Sequence, residues 1–232
     1  MAAGRREGRE KGVTRSLCIV GRGSDGRRLG VAVAAAIPTV GAFCPAARAG
    51  VGALSVQGQA DPLMRRRLLH LLADGVEPEE AVARALEGDP GREARQIALI
   101  GRTGPGAAAT GAGVAGFCGH RVGGDFATAG SHLASPDVLD AMAAAFAGAP
   151  AQDLPERLMR ALEAGERAGG EVRAVRSAAL LVVDQDGYPY ADLRVDDGAE
   201  ALAELRRLLD LHAERFLPGY EAWVASLTAK GG

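Results

Sequence analysis

TRSLCIVGRGSDGRRLGVAVAA, residues 14–35, decides how the rest of the chain is read. Two apolar runs, Thr14–Gly21 and Arg28–Ala35, flank Gly23-Ser24-Asp25-Gly26. Gly and Asp between two such runs signal a β-hairpin. Both runs are nearly continuous in apolarity rather than alternating, which predicts strands buried on both faces. The segment GRGSDG has the spacing of a nucleotide-binding GxGxxG loop. It joins two strands and opens no helix, so that reading fails its own context.

Working outward, two more Gly-punctuated apolar runs follow, Val40–Cys44 and Gly50–Gln57. Asp61-Pro62 opens a helix, with Asp as N-cap and Pro in the first turn. Leu63, Leu68, Leu71 and Leu72 share one face of it, Arg65-Arg66-Arg67 form a solvated face, and Gly75 closes it. A second helix is expected over Pro78–Leu86. Strands return at Gln96–Gly101 and Ala107–Gly111 around Gly104-Pro105-Gly106, and Gly-rich, weakly polar segments run from Val114 to Ala129. Helices are expected over Asp137–Phe146, capped by Ser135-Pro136, and over Leu154–Ala168. A strand at Arg176–Asp184 passes through Gln185-Asp186-Gly187 to another at Tyr188–Val195, and a helix covers Glu200–Glu214. The Pro218–Gly232 tail carries no clear pattern. Helices that come in consecutive pairs between runs of strands predict an α+β fold, a four-layer αββα sandwich of two mainly antiparallel sheets with helices outside. An alternating βαβ order, which would predict a parallel sheet, is absent.

Composition narrows the function. A length of 232 residues suits one domain, here expected over 14–232. With aromatics at only 4% and 33 glycines, the core must be built from Ala, Val and Leu in close contact. A net charge of -2 offers no global attraction for nucleic acid or an anionic membrane. No apolar stretch is long enough to span a bilayer, and no apolar segment follows the basic N-terminus as a secretory signal requires. Cys18, Cys44 and Cys118 are odd in number, far apart and without CxxC spacing, which reads as reduced, buried thiols in a cytoplasmic protein. No two of the four His have metal-ligand spacing, so no metal site is expected.

Residues 1–13 read MAAGRREGREKGV, polar and without periodicity. They are expected to be a disordered leader, and a start-site artefact if Val13 is the initiator. In that case removal of the initiator leaves Thr14 as the free N-terminus. The alternative is a genuine flexible leader.

Taken together, several stretches resemble one family. They are TRSLCIVGR at 14–22, LGVAVA at 29–34, ARAGVGALSVQ at 47–57, DPGREARQ at 89–96, Thr110-Gly111, GHRVG at 119–123, SAALLVV at 177–183, DLRVDD at 192–197 and AELRRLLDLH at 203–212. The family is the bacterial and archaeal domain family DUF1028, grouped with the N-terminal-nucleophile (Ntn) hydrolases. The similarity runs from Thr14 to about His212. It implies the Ntn-type sandwich rather than a particular activity, and on that fold the leading expectation is hydrolysis of a small-molecule amide by Thr14. Departures fall at polar positions. Gly130-Ser131-His132 stands where members show Gly-Asn, Asp61-Pro62 where they show Asn-Pro, and Glu171, Val172, Arg176 and Ser177 where they carry an Asp-Arg…Gln-Ser run. Those positions look like pocket residues, so either a changed substrate or a lost activity is expected.

The chemistry follows from one residue. An N-terminal Thr carries a hydroxyl nucleophile and an α-amine, whose reference pKa of about 7.7–8.0 leaves a useful neutral fraction to accept the hydroxyl proton. Such a site needs no cofactor, metal or catalytic His, only an oxyanion hole worth about 3–4 kcal/mol per donor. The Gly-rich segments near Gly50, Gly111 and Gly130 are candidates for it. The plainer reading of Thr14 is a β-branched residue at a strand start. Ser16, two residues on, shares its face and is the second catalytic candidate, or else a buried hydrogen-bonded Ser. His120, Ser131 and His132 are substrate-binding candidates in a semi-polar region, and Arg173 and Arg176 could fork a substrate carboxylate. His70 and His212 read as structural, and Arg194, Asp196 and Asp197 as an ion pair or a helix cap. The expected partners are a small-molecule substrate and a second copy in a homodimer, with no nucleic acid and no membrane. The alternative function is a non-catalytic metabolite-binding or scaffold protein on the same fold.

Overall fold

The computed structural model describes residues 14–184 and 188–228. The expected leader at 1–13 and the expected turn at Gln185-Asp186-Gly187 lie outside these residues. The opening hairpin forms as β1 (Ser16–Arg22) and β2 (Leu29–Ala35), antiparallel with Ser16 opposite Ala35 and Arg22 opposite Leu29. Both strands are buried on both faces, as their unbroken apolarity requires.

Around this hairpin a six-stranded sheet is built from β7 (Phe117–Val122), β8 (Phe126–Leu133), β9 (Ser177–Val183) and β10 (Pro189–Val195). Its order is β10-β9-β2-β1-β8-β7. A four-stranded sheet, β3-β4-β5-β6, comprises β3 (Pro45–Arg48), β4 (Gly52–Gly58), β5 (Arg95–Gly101) and β6 (Ala107–Thr110). Every pairing in both sheets is antiparallel. Helices α2 (Pro62–Ala73) and α3 (Pro78–Leu86) cover the smaller sheet. Helices α4 (Asp137–Ala147), α5 (Leu154–Arg167) and α6 (Ala201–Arg215) cover the larger. The protein is therefore a four-layer αββα sandwich.

Strand alternation divides the core three ways. On β1, Leu17 and Ile19 point toward α4 and α5, while Cys18 and Val20 point between the sheets. Leu54, Val56, Ile97 and Leu99 face α2 and α3. The scarcity of aromatics is met by close approach. At Gly21 a Cβ would collide with the Phe146 ring, so the missing side chain lets α4 rest on the sheet.

The structure corrects four local expectations. The run at Val40–Cys44 is not a strand but a one-turn helix, α1 (Val40–Phe43), followed by β3. Thr39 takes a left-handed φ of 59°, and the Ser177 hydroxyl accepts the Val40 N–H, so the chain turns before it can extend. On α2 the buried residues are Met64, Leu68 and Leu72 at i, i+4, i+8, whereas Leu63 is 69% exposed. The arginines of that helix are not simply solvated. Arg65 donates to the Pro45 carbonyl and Arg67 to those of Arg84 and Ala85. The tail forms α7 (Leu217–Thr228), held by an aromatic cluster in which Tyr220 meets Tyr190 and Trp223 meets Tyr188. His212 is structural as expected, donating Nε2–H to the Tyr190 carbonyl at 2.8 Å and stacking on Phe216. Among the described residues, no helix is long and apolar enough to cross a membrane.

Candidate functional site

The first residue described, Thr14, lies between the two sheets and is 3% exposed. Its main-chain N–H donates to the Gly58 carbonyl at 2.7 Å. Its hydroxyl accepts the Gly58 N–H at 2.8 Å and lies 3.1 Å from the Gly58 carbonyl. Both polar groups of one residue, at the end of β4, are thus turned onto Thr14. Gly58 does this at a φ of +75°, where a Cβ would also collide with the Ala94 carbonyl, so only Gly fits. The adjoining turn is anchored by Arg95, which binds Asp89 at 2.6 and 3.0 Å, reaches Asp61 at 3.4 Å and donates to the Gln59 carbonyl. The Arg95 hydrogen bonds hold the Asp89 carboxyl below its ordinary pKa. The Cys44 thiol lies beside the Thr14 hydroxyl, and burial raises both Cys44 and Cys18 to about 12, so both stay protonated. Cys18 and Cys44 are buried and free, as expected, whereas Cys118 is exposed.

From Ser16 a chain of hydrogen bonds crosses the sandwich. Ser16 Oγ donates to Gln57 Oε1 at 3.0 Å, and Gln57 Nε2 donates to Gln96 Oε1 at 2.8 Å. Gln96 Nε2 faces three acceptors, Thr110 Oγ1 at 3.1 Å, the Gly119 carbonyl at 3.0 Å and the Gly130 carbonyl at 2.9 Å. Thr110 Oγ1 meets His120 Nδ1 at 3.0 Å. Gln57, Gln96 and Thr110 are register partners on β4, β5 and β6, so they form one row across the smaller sheet. His120 is exposed at the far end, and burial of its ring, aided by the Arg121 charge, lowers its pKa and favours the neutral form.

The remaining sequence-derived candidates are distributed unevenly. Ser131, on β8 one strand from Ser16, is fully buried with no hydrogen-bond partner for its hydroxyl. Next to it His132 adopts a φ of 55°, which breaks the strand alternation and sends Leu133 to the helix side. Arg173 and Arg176 are exposed, and Arg176 is engaged by Asp197 at 2.6 and 2.9 Å. Gly50 is in an exposed turn, Gly111 gives its N–H to the Arg95 carbonyl, and the Gly130 carbonyl receives Gln96.

Glu171 pairs with Leu133 at the same end of the larger sheet, beside the helix-side core. It is 6% exposed, and burial raises its carboxyl to about 7. The main-chain N–H groups of Arg173 and Ala36 and the charges of Arg15 and Arg173 pull the other way, without giving the carboxylate a hydrogen bond. The reading of residue types passed over Gln57, Gly58, Arg95 and Gln96. The available signal was Ser55 and Gln57 at two-residue spacing inside one apolar run, and Gln96 at the head of another, which puts polar groups on a buried face. Among the described residues, no cluster of three or more His, Cys, Asp or Glu could hold a metal ion.

A sandwich with a Thr just before β1, and a polar row beside it, can be set beside known proteins. The chain belongs to the family of unknown function DUF1028, which matches residues 14–205. Protein SPO2555 from Silicibacter pomeroyi, a DUF1028 crystal structure, is 29% identical with a TM-score of 0.79, over 85% of this chain and 86% of that one. Two Anbu structures are more distant. The Gly-1 mutant from Hyphomicrobium sp. strain MC1 is 11% identical with a TM-score of 0.38, over 89% of this chain and 97% of that one. Anbu (ancestral beta-subunit) from Yersinia bercovieri is 12% identical with a TM-score of 0.43, over 92% and 97%. No curated protein matches the sequence.

Proposed function

We propose that this protein is an Ntn-type hydrolase that cleaves an amide bond of a small molecule, with Thr14 as nucleophile once residues 1–13 are absent. The observation that carries the reading is the grip of Gly58 on Thr14, nitrogen and hydroxyl together, at the head of β1. A free α-amine at this position keeps the Gly58 carbonyl as its acceptor and stays close to the hydroxyl it must deprotonate. The family match also starts at Thr14. In the reaction, Thr14 Oγ1 bonds to the amide carbon and its proton passes to the α-amine. The C–N bond then breaks, and the leaving amine takes that proton. Water hydrolyses the resulting ester, releasing the carboxylic acid and restoring Thr14. Ser131, buried and without a partner, is the side chain best suited to donate to the oxyanion. His120, His132, Arg173 and Arg176 remain candidates for contacting the rest of the substrate.

One observation favours a non-catalytic, metabolite-binding reading. The Thr14 hydroxyl already has Gly58 on two sides and is almost wholly shielded. The two readings separate in an amidase panel with liberated amine or ammonia as readout. A chain starting Met-Thr14 loses its Met and turns over, whereas the 232-residue chain does not. Thr14→Ala in the short form abolishes turnover and costs about 1–3 kcal/mol of stability, because the buried Gly58 N–H loses its acceptor, whereas Thr14→Ser keeps the hydroxyl and part of the turnover. Equal activity with and without residues 1–13 would remove Thr14 from the mechanism.

A further inference from the structure

The hydrogen-bond chain from Ser16 to His120 has a direction, which main-chain groups set at its two glutamines. The two Gln side chains could in principle be ordered either way, since amide N and O are nearly alike in shape. Gln96, however, points one end at the carbonyls of Gly119 and Gly130, which only accept. That end must be its NH₂ group. Its Oε1 is then left to accept, which makes Gln57 donate through Nε2 and accept through Oε1. Gln57 Oε1 takes the Ser16 proton at 3.0 Å. At the other end, Gln96 Nε2 also reaches Thr110 Oγ1, and a Thr110 hydroxyl that accepts there keeps its own proton for His120 Nδ1, 3.0 Å away.

We infer that this row makes Ser16 a positioning residue that can only accept hydrogen bonds on its Thr14 side, and holds His120 as a neutral donor through Nε2–H. The first half rests on the nucleophile reading of Thr14 and says how the site treats it. When the α-amine takes the hydroxyl proton it becomes an ammonium with a spare N–H beyond the one held by Gly58. Ser16, on the same face of the strand, offers a lone pair at that step and cannot compete by donating. The second half stands on geometry alone. An imidazole fixed in this tautomer presents one N–H outward, suited to a carbonyl or carboxylate oxygen of the substrate rather than to a metal or a proton transfer.

Two measurements test the inference separately. In ¹⁵N spectra of His-labelled protein at neutral pH, with the resonance assigned through His120→Gln, His120 shows the Nε2–H tautomer. In Thr110→Val, which keeps the shape and loses the proton, the signal moves to a tautomer mixture. An Nδ1–H signal in the wild type, or an unchanged tautomer in Thr110→Val, overturns the chain's direction. The Ser16 role is read in the Thr14-initiated chain with a β-lactone that esterifies hydroxyl nucleophiles, followed by intact mass. Ser16→Ala slows acylation at saturating probe by at least about tenfold, the cost of one hydrogen bond to a charged group, with the half-saturating concentration unchanged. Ser16→Thr, which keeps the hydroxyl, restores the rate to within about threefold. Acylation of Ser16→Ala at the wild-type rate overturns the Ser16 role. If the Thr14-initiated chain is not acylated at all, the nucleophile reading falls with it, while the His120 spectra still decide the direction of the chain.

Discussion

Between its two sheets the protein has two ends of opposite character. Toward the loops away from Thr14, the facing residues are Val20, Val31, Ala53, Ile100 and Ala127, all buried and apolar. One layer nearer, Cys18 and Ser55 mark a transition, the Ser55 hydroxyl lying against the Cys18 thiol. At the Thr14 end the same strands present Ser16, Ser131 and Ser177 on one sheet and Gln57, Gln96 and Thr110 on the other. The backbone geometry is continuous, so the change is made by side chains alone. The apolar end is held by area removed from water and by tight contact, which are insensitive to direction. The polar end is held by hydrogen bonds whose order is fixed at Gln57 and Gln96. Burying it costs desolvation that an apolar layer would avoid. A layer that could have been Val and Ala throughout, and is not, marks the end to which the proposed site belongs.

Substitutions sharpen this contrast. The largest stability loss is expected at the apolar end. Ile100→Ala removes buried methyl groups from a layer with no mobile neighbour to collapse inward, and should cost about 3–4 kcal/mol in denaturant unfolding. A loss under about 1 kcal/mol would mean that this end is loosely packed. Gln96→Leu conserves volume at the polar end. It leaves the Gly119 and Gly130 carbonyls and the Gln57 amide without partners, and should cost roughly 2–3 kcal/mol. An unchanged midpoint would show the row to be energetically idle.

Glu171 tests the border of the polar end through pH. Its folded pKa, about 7, lies above its ordinary 4.5, so the folded state binds the proton more tightly than the unfolded chain. Its contribution is therefore fully present below about pH 4.5 and is lost as pH rises through 7. Glu171→Gln should flatten this slope and be the more stable protein at pH 8 by about 1–3 kcal/mol. Parallel stability curves for the two proteins across that window would assign the pH dependence to other groups.

The fold was legible in the sequence where apolar runs and turn residues coincide. The 14–35 hairpin, the Asp61 cap, which accepts the Leu63 N–H, and the β9–β10 pair followed from local pattern. Less legible was Phe117–Leu133, where Gly, Cys, His and Arg dilute the alternation, so the β7–β8 hairpin did not stand out. α7 was also hidden, because its stability comes from Tyr188 and Tyr190 on a strand far away in sequence. Within the candidate site, residue types pointed to Thr14, Ser16, His120 and Ser131, but not to the Gln row that ties two of them together. A row exists only once β4, β5 and β6 are in register, and register is a tertiary fact. Arg176 shows the converse: its type suggests a carboxylate fork, and the carboxylate it meets is Asp197 of its own chain.

The smallest stability effect, and the most discriminating, is expected at Ser131. Its hydroxyl is buried without a hydrogen bond, though it lies a strand away from a chain in which Ser16, Gln57, Gln96 and Thr110 all have partners. Removing an unsatisfied buried hydroxyl takes away a desolvation cost and leaves no partner stranded. Ser131→Ala should therefore be neutral or more stable by up to about 1 kcal/mol. A structural Ser would show the opposite sign, because its loss would strand whatever it bonded. If the hydroxyl is kept for the oxyanion, the same substitution lowers turnover by roughly 100-fold with the half-saturating substrate concentration nearly unchanged, since the bond forms only as the reaction proceeds. Stability and rate then move in opposite directions in a single variant. A Ser131→Ala protein that is less stable and equally active would return this residue to the packing, and with it the strongest case for an oxyanion donor at the polar end.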